Sequence, residues 1–450
     1  MITEAPDRDE ERVSFGLPSG DPLSARLFPS LPGSVKWGLE RTERLLASLR
    51  NPHRRYPVLH VGGTNGKGSV ARIWAEILRA AGLRTGLYTS PHLISYRERL
   101  LVNGRPLPDE LLEEWARDLR PLLLREAPSF FEAGTALAFL AMARAEVDVA
   151  VVEVGLGGRL DATNVVDPVL TAVTNVGIEH QGFLGLDVGS IAREKAGIMK
   201  PGVPVFTSCD RPEVLAVLKD AAAERGAILQ RVSAPAGRVT LDGLRLRLDT
   251  ARWGPLELAS GLSGLHQLGN IALAVRALEA LPPRLPVSAS AVREGVLRAR
   301  VPGRFQVEYE AGRRWILDIA HNPDAVRAVV RSLDAMASPA PSVGLVGILG
   351  DKDWVAMLTE LAPVLDRLIL TIPTKAPPGR RWDPEAAARA LSADRVRVVT
   401  DFDAAVQAAK EEAGASGTIV ALGSTYTVGE ALEHLGRVPR EALPVSFEPA

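Results

Sequence analysis

The stretch that decides the fold is Val58-Leu59-His60-Val61-Gly62-Gly63-Thr64-Asn65-Gly66-Lys67-Gly68-Ser69. Its apolar start predicts a buried β-strand, and the glycines that follow predict a tight turn into a helix. In such a turn, successive backbone N–H groups and the positive end of the helix dipole point at one place, which favours an anion. The spacing is that of a phosphate-binding loop, except that Gly68 stands between Lys67 and Ser69.

Two side chains of this predicted phosphate loop carry its chemistry. Lys67 is expected to reach the outer phosphates of a nucleotide, and the hydroxyl of Ser69 to face Mg²⁺. A glycine-rich turn with no ligand is the alternative interpretation. It is disfavoured because strand, loop, lysine and helix occur together.

The overall composition excludes several classes of protein. The 450 residues suffice for two to three domains, at roughly 100–200 residues each. With 53 basic and 54 acidic residues the chain is nearly neutral, which argues against a nucleic acid as the main partner. Its one cysteine, Cys209, excludes an intrachain disulfide framework, and no apolar run of about 18 residues predicts a membrane span. The start of the chain lacks a signal-peptide pattern, so we expect a cytoplasmic enzyme.

Polar side chains follow several predicted strands, at the edge where parallel α/β sheets bind ligands. Ser90 and His92 lie just after a strand that Pro91 ends, and an imidazole in solvent is the alternative for His92. Glu153 interrupts the apolar run 148–154, and a buried carboxylate needs a cation there. We predict that Glu153 binds Mg²⁺, with a structural ion pair as the alternative.

Two further residues are candidates for the same site. His180 follows the next predicted strand and is a candidate second ligand of this hard cation, although it also fits a structural histidine. Lys195 lies on a helix predicted over 190–199. Only eight of the 53 basic residues are lysines, so a lysine that remains is expected to need its primary amine.

The pattern of strands and helices predicts two α/β domains. Gln267 and Asn270 begin a long helix on one face, where they either bond a purine edge or cap the helix. The pattern breaks near 299–304, and a fresh series of strands and helices follows. We therefore predict an N-terminal P-loop ATPase domain with a parallel sheet over 1–302 and a smaller C-terminal Rossmann-like domain over 303–450. Within the first domain, residues 1–34 are expected to form a loosely ordered arm.

Six segments together resemble one known family. They are His60–Ser69, Thr89–Leu93, Glu153–Asn164, Glu194–Ile198, Asp318–Pro323 and Gly423–Tyr426. In residues and order they resemble the folylpolyglutamate synthase family, a relative of the muramyl ligases, and most closely its bifunctional dihydrofolate synthase/folylpolyglutamate synthases. The resemblance extends from about residue 35 to about residue 430.

The resemblance implies an ATP-dependent ligase. In this family a substrate carboxylate attacks the γ-phosphate of ATP, and the amine of L-glutamate then displaces phosphate from the acyl phosphate. The implied acceptor is dihydropteroate or a reduced folate, and the implied enzyme is a monomer without nucleic-acid or membrane partners. The implied cofactors are Mg²⁺, a monovalent cation such as K⁺, and a carbamate that CO₂ forms on Lys195.

The same resemblance assigns residues to each ligand. The triphosphate would contact Thr64, Asn65, Gly66, Lys67, Gly68 and Ser69, and the nucleotide would also contact Asn270, Arg304 and Asp318. Mg²⁺ would lie near Ser90, Glu153 and His180. Catalytic roles would fall to Lys67, Lys195, Asp318 and His321. The pterin would lie near Trp37, Gly38, Phe130, Phe131, Glu132, Leu160, Asp161 and Ala162.

Departures from the family pattern leave some points open. Ile319 and Thr425 stand where the family has glycine and leucine, which bears on packing, and the segment 374–381 follows the family only loosely. A muramyl ligase acting on a cell-wall precursor is one alternative, although the residues before Val58 are too few for its additional domain. A nucleotide-binding regulator is another, but it need not keep Glu153, His180, Lys195 and Asp318 together.

Overall fold

The chain folds into α/β layers organised by three sheets. The structure is a computed structural model that describes residues 21–29, 31, 37–240, 243–336, 340–391 and 395–445. These residues form one sheet of eight strands, one of three and one of six. The predicted α/β fold class is confirmed. None of the described helices is long and apolar enough to cross a membrane.

The largest sheet is built around the strand that opens the phosphate loop. Its strands are β1 (Val58–Gly62), β2 (Thr85–Tyr88), β3 (Leu100–Val102), β4 (Arg105–Pro106), β5 (Val149–Glu153), β6 (Pro168–Val173), β7 (Pro204–Thr207) and β8 (Ile228–Arg231). They are ordered β4-β3-β2-β5-β1-β6-β7-β8, parallel from β2 to β8, with β3 and β4 as an antiparallel edge. Because β5, β1 and β6 are neighbours, the loops that follow them meet at one edge of the sheet.

Helices cover both faces of this sheet. They are α1 (Pro22–Leu27), α2 (Glu40–Ser48), α3 (Lys67–Ala80), α4 (Asp109–Glu126), α5 (Phe130–Arg144), α6 (Gln181–Leu184), α7 (Val188–Ala196), α8 (Pro212–Arg225), α9 (His266–Leu278) and α10 (Ala289–Arg298). A three-stranded antiparallel sheet of β9 (Gly237–Thr240), β10 (Gly243–Thr250) and β11 (Gly254–Ser260) precedes α9. This region contains the phosphate loop and most of the predicted site residues.

The third sheet forms the C-terminal part. Its strands are β12 (Gln306–Glu310), β13 (Arg313–Asp318), β14 (Ser342–Val346), β15 (Arg367–Leu370), β16 (Val396–Val398) and β17 (Thr418–Leu422), ordered β12-β13-β17-β14-β15-β16. Only β12 pairs antiparallel. The accompanying helices are α11 (Pro323–Met336), α12 (Trp354–Leu361), α13 (Pro384–Ala390), α14 (Phe402–Ala413) and α15 (Thr425–His434). The predicted boundary between 302 and 303 falls just before this sheet.

Helix α3 anchors the phosphate loop to the core. Every residue of this helix from Ser69 to Leu78 is buried, and the indole N–H of Trp74 donates to the carbonyl of Ala274 at 2.9 Å. Gly295 of α10 lies against the backbone of Ile77 so closely that a Cβ would collide with it. The loop therefore rests on a base that has little room to move.

The prediction of a loose arm is wrong for the part of it that the structure describes. Residues 1–20, 30 and 32–34 lie outside the described residues, but residues 22–27 form α1. Asp21 caps this helix by accepting the N–H of Ser24 at 3.0 Å, while Leu23, Leu27 and Phe28 are buried. A stretch with few apolar residues still folds because each of these is placed in the core.

Truncation of Phe28 tests this packing. Phe28 is fully buried, and its ring meets those of Tyr96 and Phe130 edge-on at 5.7 and 5.4 Å between centroids. Phe28→Ala should lower the free energy of unfolding by about 3–5 kcal/mol, because a buried aromatic leaves a cavity. Leu124→Ala, at a side chain that is 86 % exposed, should change it by less than about 0.5 kcal/mol. Equal values in urea titrations would mean that α1 is not part of the core.

Candidate active site

A cavity of about 320 Å³ collects residues from the loops after β1, β2, β5, β6, β13, β14 and β17. Seventeen of the predicted site residues line it. They are Trp37, Gly38, Thr64, Asn65, Lys67, Ser90, Phe130, Phe131, Glu132, Glu153, Leu160, Asp161, Ala162, His180, Lys195, Arg304 and His321. Gly66, Gly68, Ser69, Asn270 and Asp318 do not line the cavity. The structure thus gathers residues that are up to 284 positions apart in sequence, from Trp37 to His321.

The phosphate loop has the backbone that its glycines predict. Gly63 and Gly66 have φ of 133° and 89°, and a Cβ on Gly63 would collide with the hydroxyl of Thr174. The Lys67 ammonium turns back onto the loop and donates to the carbonyls of Gly63 and Thr64 at 3.0 and 2.9 Å. The loop therefore keeps the Lys67 ammonium in place. A bound anion would replace the two carbonyls as the partner of this ammonium.

The amides of α9 do not cap their helix. The Nδ2 of Asn270 donates to the Oε1 of Gln267 at 2.8 Å, and the Nε2 of Gln267 donates to the Ser69 hydroxyl at 3.3 Å. No side chain caps the start of this helix at Leu265. The capping interpretation is wrong because both amides are aimed at the phosphate loop. A purine contact for Asn270 remains a prediction.

Glu153 is a buried carboxylate that forms no ion pair with the described residues. It is 2 % exposed, and its Oε2 accepts the backbone N–H of Ser90 at 3.0 Å. Burial raises the pKa of Glu153, and the charges of Lys67 and Arg304 oppose that rise from a distance. Within the described residues no lysine or arginine nitrogen comes within 4.0 Å of this carboxylate, so the ion-pair alternative is not what the structure contains.

Ser90, Glu153 and His180 line the same cavity and offer oxygen and nitrogen ligands, and their binding of Mg²⁺ remains a prediction. His180 has a left-handed backbone, with φ of 48°, and burial followed by the charge of Lys352 lowers its pKa to about 3, which keeps the imidazole neutral. The described residues contain no group of three or more His, Cys, Asp or Glu side chains that could hold a metal by themselves. Mg²⁺ tolerates such an incomplete set, because it keeps waters and takes substrate phosphate oxygens as ligands.

Lys195 is a buried lysine that shares an acceptor with Lys67. Its ammonium is 1 % exposed and donates to the carbonyl of Gly63 at 2.9 Å and to the Oε1 of Glu179 at 2.6 Å. Burial lowers the pKa of Lys195, and the charge of Lys67 lowers it further. The structure therefore contains an ion pair between Lys195 and Glu179, while Glu194, the residue next to Lys195 in sequence, pairs with Arg159 at 2.9 Å.

The C-terminal sheet contributes a second titratable pair. Burial raises the pKa of Asp318 to about 6, against the charge of Arg304 and the N–H groups of Ala320 and Phe305, which the carboxylate accepts at 2.8 and 2.7 Å. Burial lowers the pKa of His321 to about 4, and its Nδ1 donates to the carbonyl of Ile319 at 2.9 Å. The Nε2 of His321 is then left as a hydrogen-bond acceptor at the cavity wall.

The region predicted to bind the pterin contains both aromatic and acidic side chains. Trp37 packs against Phe183 at 6.0 Å between centroids, and Phe131 lies 6.1 Å from Tyr88. Glu132 completes a capping box with Ser129 and pairs with Arg41 at 3.1 Å, so its carboxylate already has structural partners. Asp161 likewise accepts the N–H groups of Leu156 and Thr163 at 2.8 and 3.0 Å. These two acids shape the wall of the cavity.

Sequence reasoning left the surroundings of His92 open and missed other cavity residues. His92 is not in solvent: it is 3 % exposed, and burial with the Arg99 charge holds its pKa well below the usual range. Arg99 itself was not predicted, because it ends a short 3₁₀ helix, Tyr96–Arg99, that carries no functional motif. Further cavity residues to which no role was assigned include Glu179 and, from the C-terminal loops, Leu349, Lys352, Arg380, Ser424, Thr425 and Tyr426.

The side chain of Glu430 holds the start of the segment 374–381 beside the cavity. This buried carboxylate accepts the backbone N–H groups of Thr374 and Lys375 at 3.0 and 2.7 Å. Arg380 of the segment pairs with Asp351 at 2.9 Å and lines the cavity. The sequence left open whether this segment contacts a ligand. Because Arg380 lines the cavity, it is the residue of the segment that could make such a contact.

Two family models match the chain. The Mur ligase middle domain matches residues 61–278, and the Mur ligase glutamate ligase domain matches residues 303–425.

Curated relatives match over most of the chain. The dihydrofolate synthase/folylpolyglutamate synthase of Escherichia coli K12 is 34 % identical over 406 residues, which are 89 % of this chain and 92 % of that protein. The probable bifunctional folylpolyglutamate synthase/dihydropteroate synthase of Haloferax volcanii is 36 % identical over 425 residues, 90 % of this chain. The chain spans about half, 49 %, of that archaeal protein.

Solved structures share the whole fold. The folylpolyglutamate synthase of Mycobacterium tuberculosis, complexed with ADP and AMPPCP, has a TM-score of 0.83 at 34 % identity and covers 89 % of this chain and 96 % of its own. Escherichia coli FolC, in complex with DHPP and ADP, has a TM-score of 0.81 at 34 % identity, with coverages of 92 % and 96 %. A bifunctional synthase with Mn, AMPPNP and L-glutamate bound has a TM-score of 0.78 at 33 % identity, with coverages of 89 % and 95 %.

The raised pKa of Asp318 predicts a pH-dependent stability. Its pKa is about 6 when folded against 3.8 for an ordinary Asp, so folding favours the protonated form. That contribution is present below about pH 4 and is lost as the pH rises through 6. Between pH 4 and pH 7 the unfolding free energy should therefore shift by about 2 kcal/mol in favour of Asp318→Asn relative to wild type. The exposed Asp220→Asn is the control, and a pH-independent difference for Asp318→Asn would contradict the assignment.

Proposed function

We propose that this chain, which belongs to the folylpolyglutamate synthase family of the Mur ligases, joins L-glutamate to folates using ATP. The acceptor carboxylate is that of dihydropteroate, the γ-carboxylate of a reduced folate, or both. The segment Gly158–Thr163, which resembles that of the bifunctional enzymes, favours both. ADP and phosphate are the other products. We further propose that the enzyme acts as a cytoplasmic monomer on these small molecules.

The observation that carries this proposal is the charge arrangement of the cavity. Lys67 and Arg304, from the two sheets, face the same space as Glu153, Glu179 and Lys195. Attack of a carboxylate on a phosphate brings two anions together, and concentrated positive charge is what makes it possible. A regulator that only binds nucleotide has no need of this set.

The first step forms the acyl phosphate. An oxygen of the acceptor carboxylate bonds to the γ-phosphorus, and the bond from that phosphorus to the β-phosphate oxygen breaks, releasing ADP. Lys67 leaves the carbonyls of Gly63 and Thr64 to hold the phosphates, and Arg304 approaches from the other side. The γ-phosphate is thereby held between two cations, which fixes the line of attack.

The second step forms the amide. The amine nitrogen of L-glutamate bonds to the acyl carbon, and the carbon–oxygen bond to phosphate breaks, the phosphate leaving with the proton of the amine. Neutral His321, with its Nε2 free to accept, orients the amine. Asp318 fixes the loop that carries His321 by accepting N–H groups on both sides. Exclusion of water from the cavity would protect the acyl phosphate from hydrolysis.

Ser90, Glu153 and His180 would hold Mg²⁺ beside the phosphate loop. When bound, Mg²⁺ would supply charge neutralisation to the phosphates. Glu153 suits this role because it is buried and unpaired by any cation within the described residues. The monovalent cation, such as K⁺, remains a prediction of the family resemblance.

The carboxylates of the substrates need their own cations. Lys67 and Arg304 are assigned to ATP, while Lys352 and Arg380 pair with Asp351 at 3.4 and 2.9 Å. Arg99 lines the same cavity, and no described carboxylate lies within 4.0 Å of it. We assign Arg99 to a substrate carboxylate, and the aromatic side chains Trp37 and Phe131 to the pterin.

Product analysis tests the function. The chain is incubated with ATP, Mg²⁺, L-glutamate and either dihydropteroate or tetrahydrofolate, and both ADP and the mass of the pteridine product are measured. Addition of one glutamyl unit to both acceptors is the expected result, and addition to the reduced folate alone would leave a monofunctional synthase. ADP formation only with a nucleotide-linked cell-wall precursor would identify a muramyl ligase. The absence of ADP with every acceptor would leave a nucleotide-binding regulator.

Lys67→Ala tests the phosphate loop. Turnover should fall by at least about 100-fold, because the ammonium stabilises charge on the transferred phosphate. The fold should remain, since the Lys67 side chain bonds only loop carbonyls. The exposed Lys219→Ala provides the matched control, with wild-type turnover expected. Near-normal activity in Lys67→Ala would overturn the assignment.

Lys195 is predicted to become a carbamate. CO₂ adds only to a neutral amine, with loss of a proton, and the lowered pKa of Lys195 increases the neutral fraction. Lys195→Ala should lose ligation, and bicarbonate or a short carboxylic acid should restore part of it by replacing the missing anion. Lys200→Ala is the control. An unmodified Lys195 in well-ordered density with metal and nucleotide bound would contradict the prediction.

A further inference from the structure

Arg99 is a buried cation that the described protein does not neutralise. It is 7 % exposed, and no carboxylate of the described residues lies within 4.0 Å of its guanidinium. Instead the guanidinium carbon lies 5.8 Å from the Tyr96 ring centre and 5.4 Å from that of Phe130. Aromatic faces stabilise a cation without satisfying its N–H groups. An arginine held in this way is ready for an anion that comes from outside the chain.

One side chain fixes the direction of this guanidinium. The Nε of Arg99 donates to the Nδ1 of His92 at 2.8 Å. This is the one hydrogen bond of the Arg99 side chain within the described residues. The rings beside it fix the plane, and the bond to His92 fixes the rotation, so that the Nη groups are left for the cavity that Arg99 lines.

The bond also determines the form of His92. An arginine Nε always carries hydrogen, so the Nδ1 of His92 must be the acceptor and the ring proton must sit on Nε2. That Nε2 is buried and has no partner among the described residues. A buried N–H without an acceptor is costly, which is unusual for a residue with a purely packing role. His92 is thus built to accept one hydrogen bond, from Arg99.

The turn that carries Arg99 is held from several sides. Glu98 accepts the N–H groups of Leu93, Ile94 and Ser95 at 2.9, 2.8 and 2.8 Å. The carboxylate of Asp21 accepts the N–H of Tyr96 at 3.1 Å. His92 and Arg99 therefore keep a fixed separation across a rigid turn.

We propose that His92 is a positioning residue that aims the Arg99 guanidinium at a substrate carboxylate in the cavity. This rests on the proposed ligase function, because the carboxylate belongs to one of its substrates, either L-glutamate or the pteridine acid. Arg99 lines the cavity together with Glu153 and with Tyr426 of α15, so a carboxylate bound in that cavity lies within its reach.

Steady-state kinetics of His92 variants provide the test. His92→Leu removes the acceptor and should raise the KM of one carboxylate substrate by about tenfold or more, with the KM of ATP changed less than about twofold. The substrate whose KM rises, L-glutamate or the pteridine acid, identifies the source of the carboxylate. His92→Asn keeps an amide oxygen near the Nδ1 position and should recover most of the loss. In an Arg99→Ala background, His92→Leu should have no further effect.

Three results would overturn the proposal. These are an equal rise in all KM values, an Asn variant no better than the Leu variant, and a full effect of His92→Leu when Arg99 is already alanine. If His92→Leu does not fold, the Asn variant and the Arg99→Ala pair carry the test. ¹⁵N NMR of the histidines distinguishes failure of the proposed function from failure of this proposal, because it reads the Nδ1-acceptor tautomer without turnover. A His92 protonated on Nδ1 would contradict the bond, whatever the substrate is.

Discussion

Two ammonium groups share one carbonyl oxygen, and the site is organised by that arrangement. The carbonyl of Gly63 accepts from Lys67 at 3.0 Å and from Lys195 at 2.9 Å, in a loop where Gly63 and Gly66 leave no room for a Cβ. Like charges at this distance raise the free energy of the site unless an anion is near. Glu179, bonded to Lys195 at 2.6 Å, supplies one negative charge, and a triphosphate would supply the rest. The need for an anion is therefore built into the backbone of β1 and its turn.

The C-terminal sheet reaches this charge centre through polar contacts. The amides of Asn65 and Asn322 bond each other reciprocally, at 3.3 and 3.1 Å, across 257 residues of sequence. Asn322 lies beside His321, so the same contact that docks the sheet brings the imidazole to the cavity. This contact holds residues of the C-terminal part beside the phosphate loop.

The N-terminal helix supports the opposite wall. Phe28 of the segment after α1 packs on Tyr96 and Phe130, the two rings that face Arg99. Arg97, two residues before Arg99, donates to the carbonyl of Ala442 near the end of the described chain at 3.1 Å. The two ends of the described chain thus meet at the turn that holds Arg99. The packing of Phe28 and the contact of Arg97 with Ala442 therefore help to fix the orientation of the Arg99 guanidinium.

The sequence alone determined the features that are local. The phosphate loop, the strand ends that carry Ser90, Glu153 and His180, and the α/β class follow from spacing and apolar patterning over a few residues. The sequence did not reveal α1, because a six-residue helix in a polar stretch is stable only when Leu23 and Leu27 pack into the core. It did not reveal Arg99 or the burial of His92, since both depend on a turn closed by Asp21 and the rings of Phe28 and Phe130. The pairing of Lys195 with Glu179 instead of Glu194 was likewise decided by tertiary packing, because side-chain direction on α7, and not proximity in sequence, determines which carboxylate meets the amine.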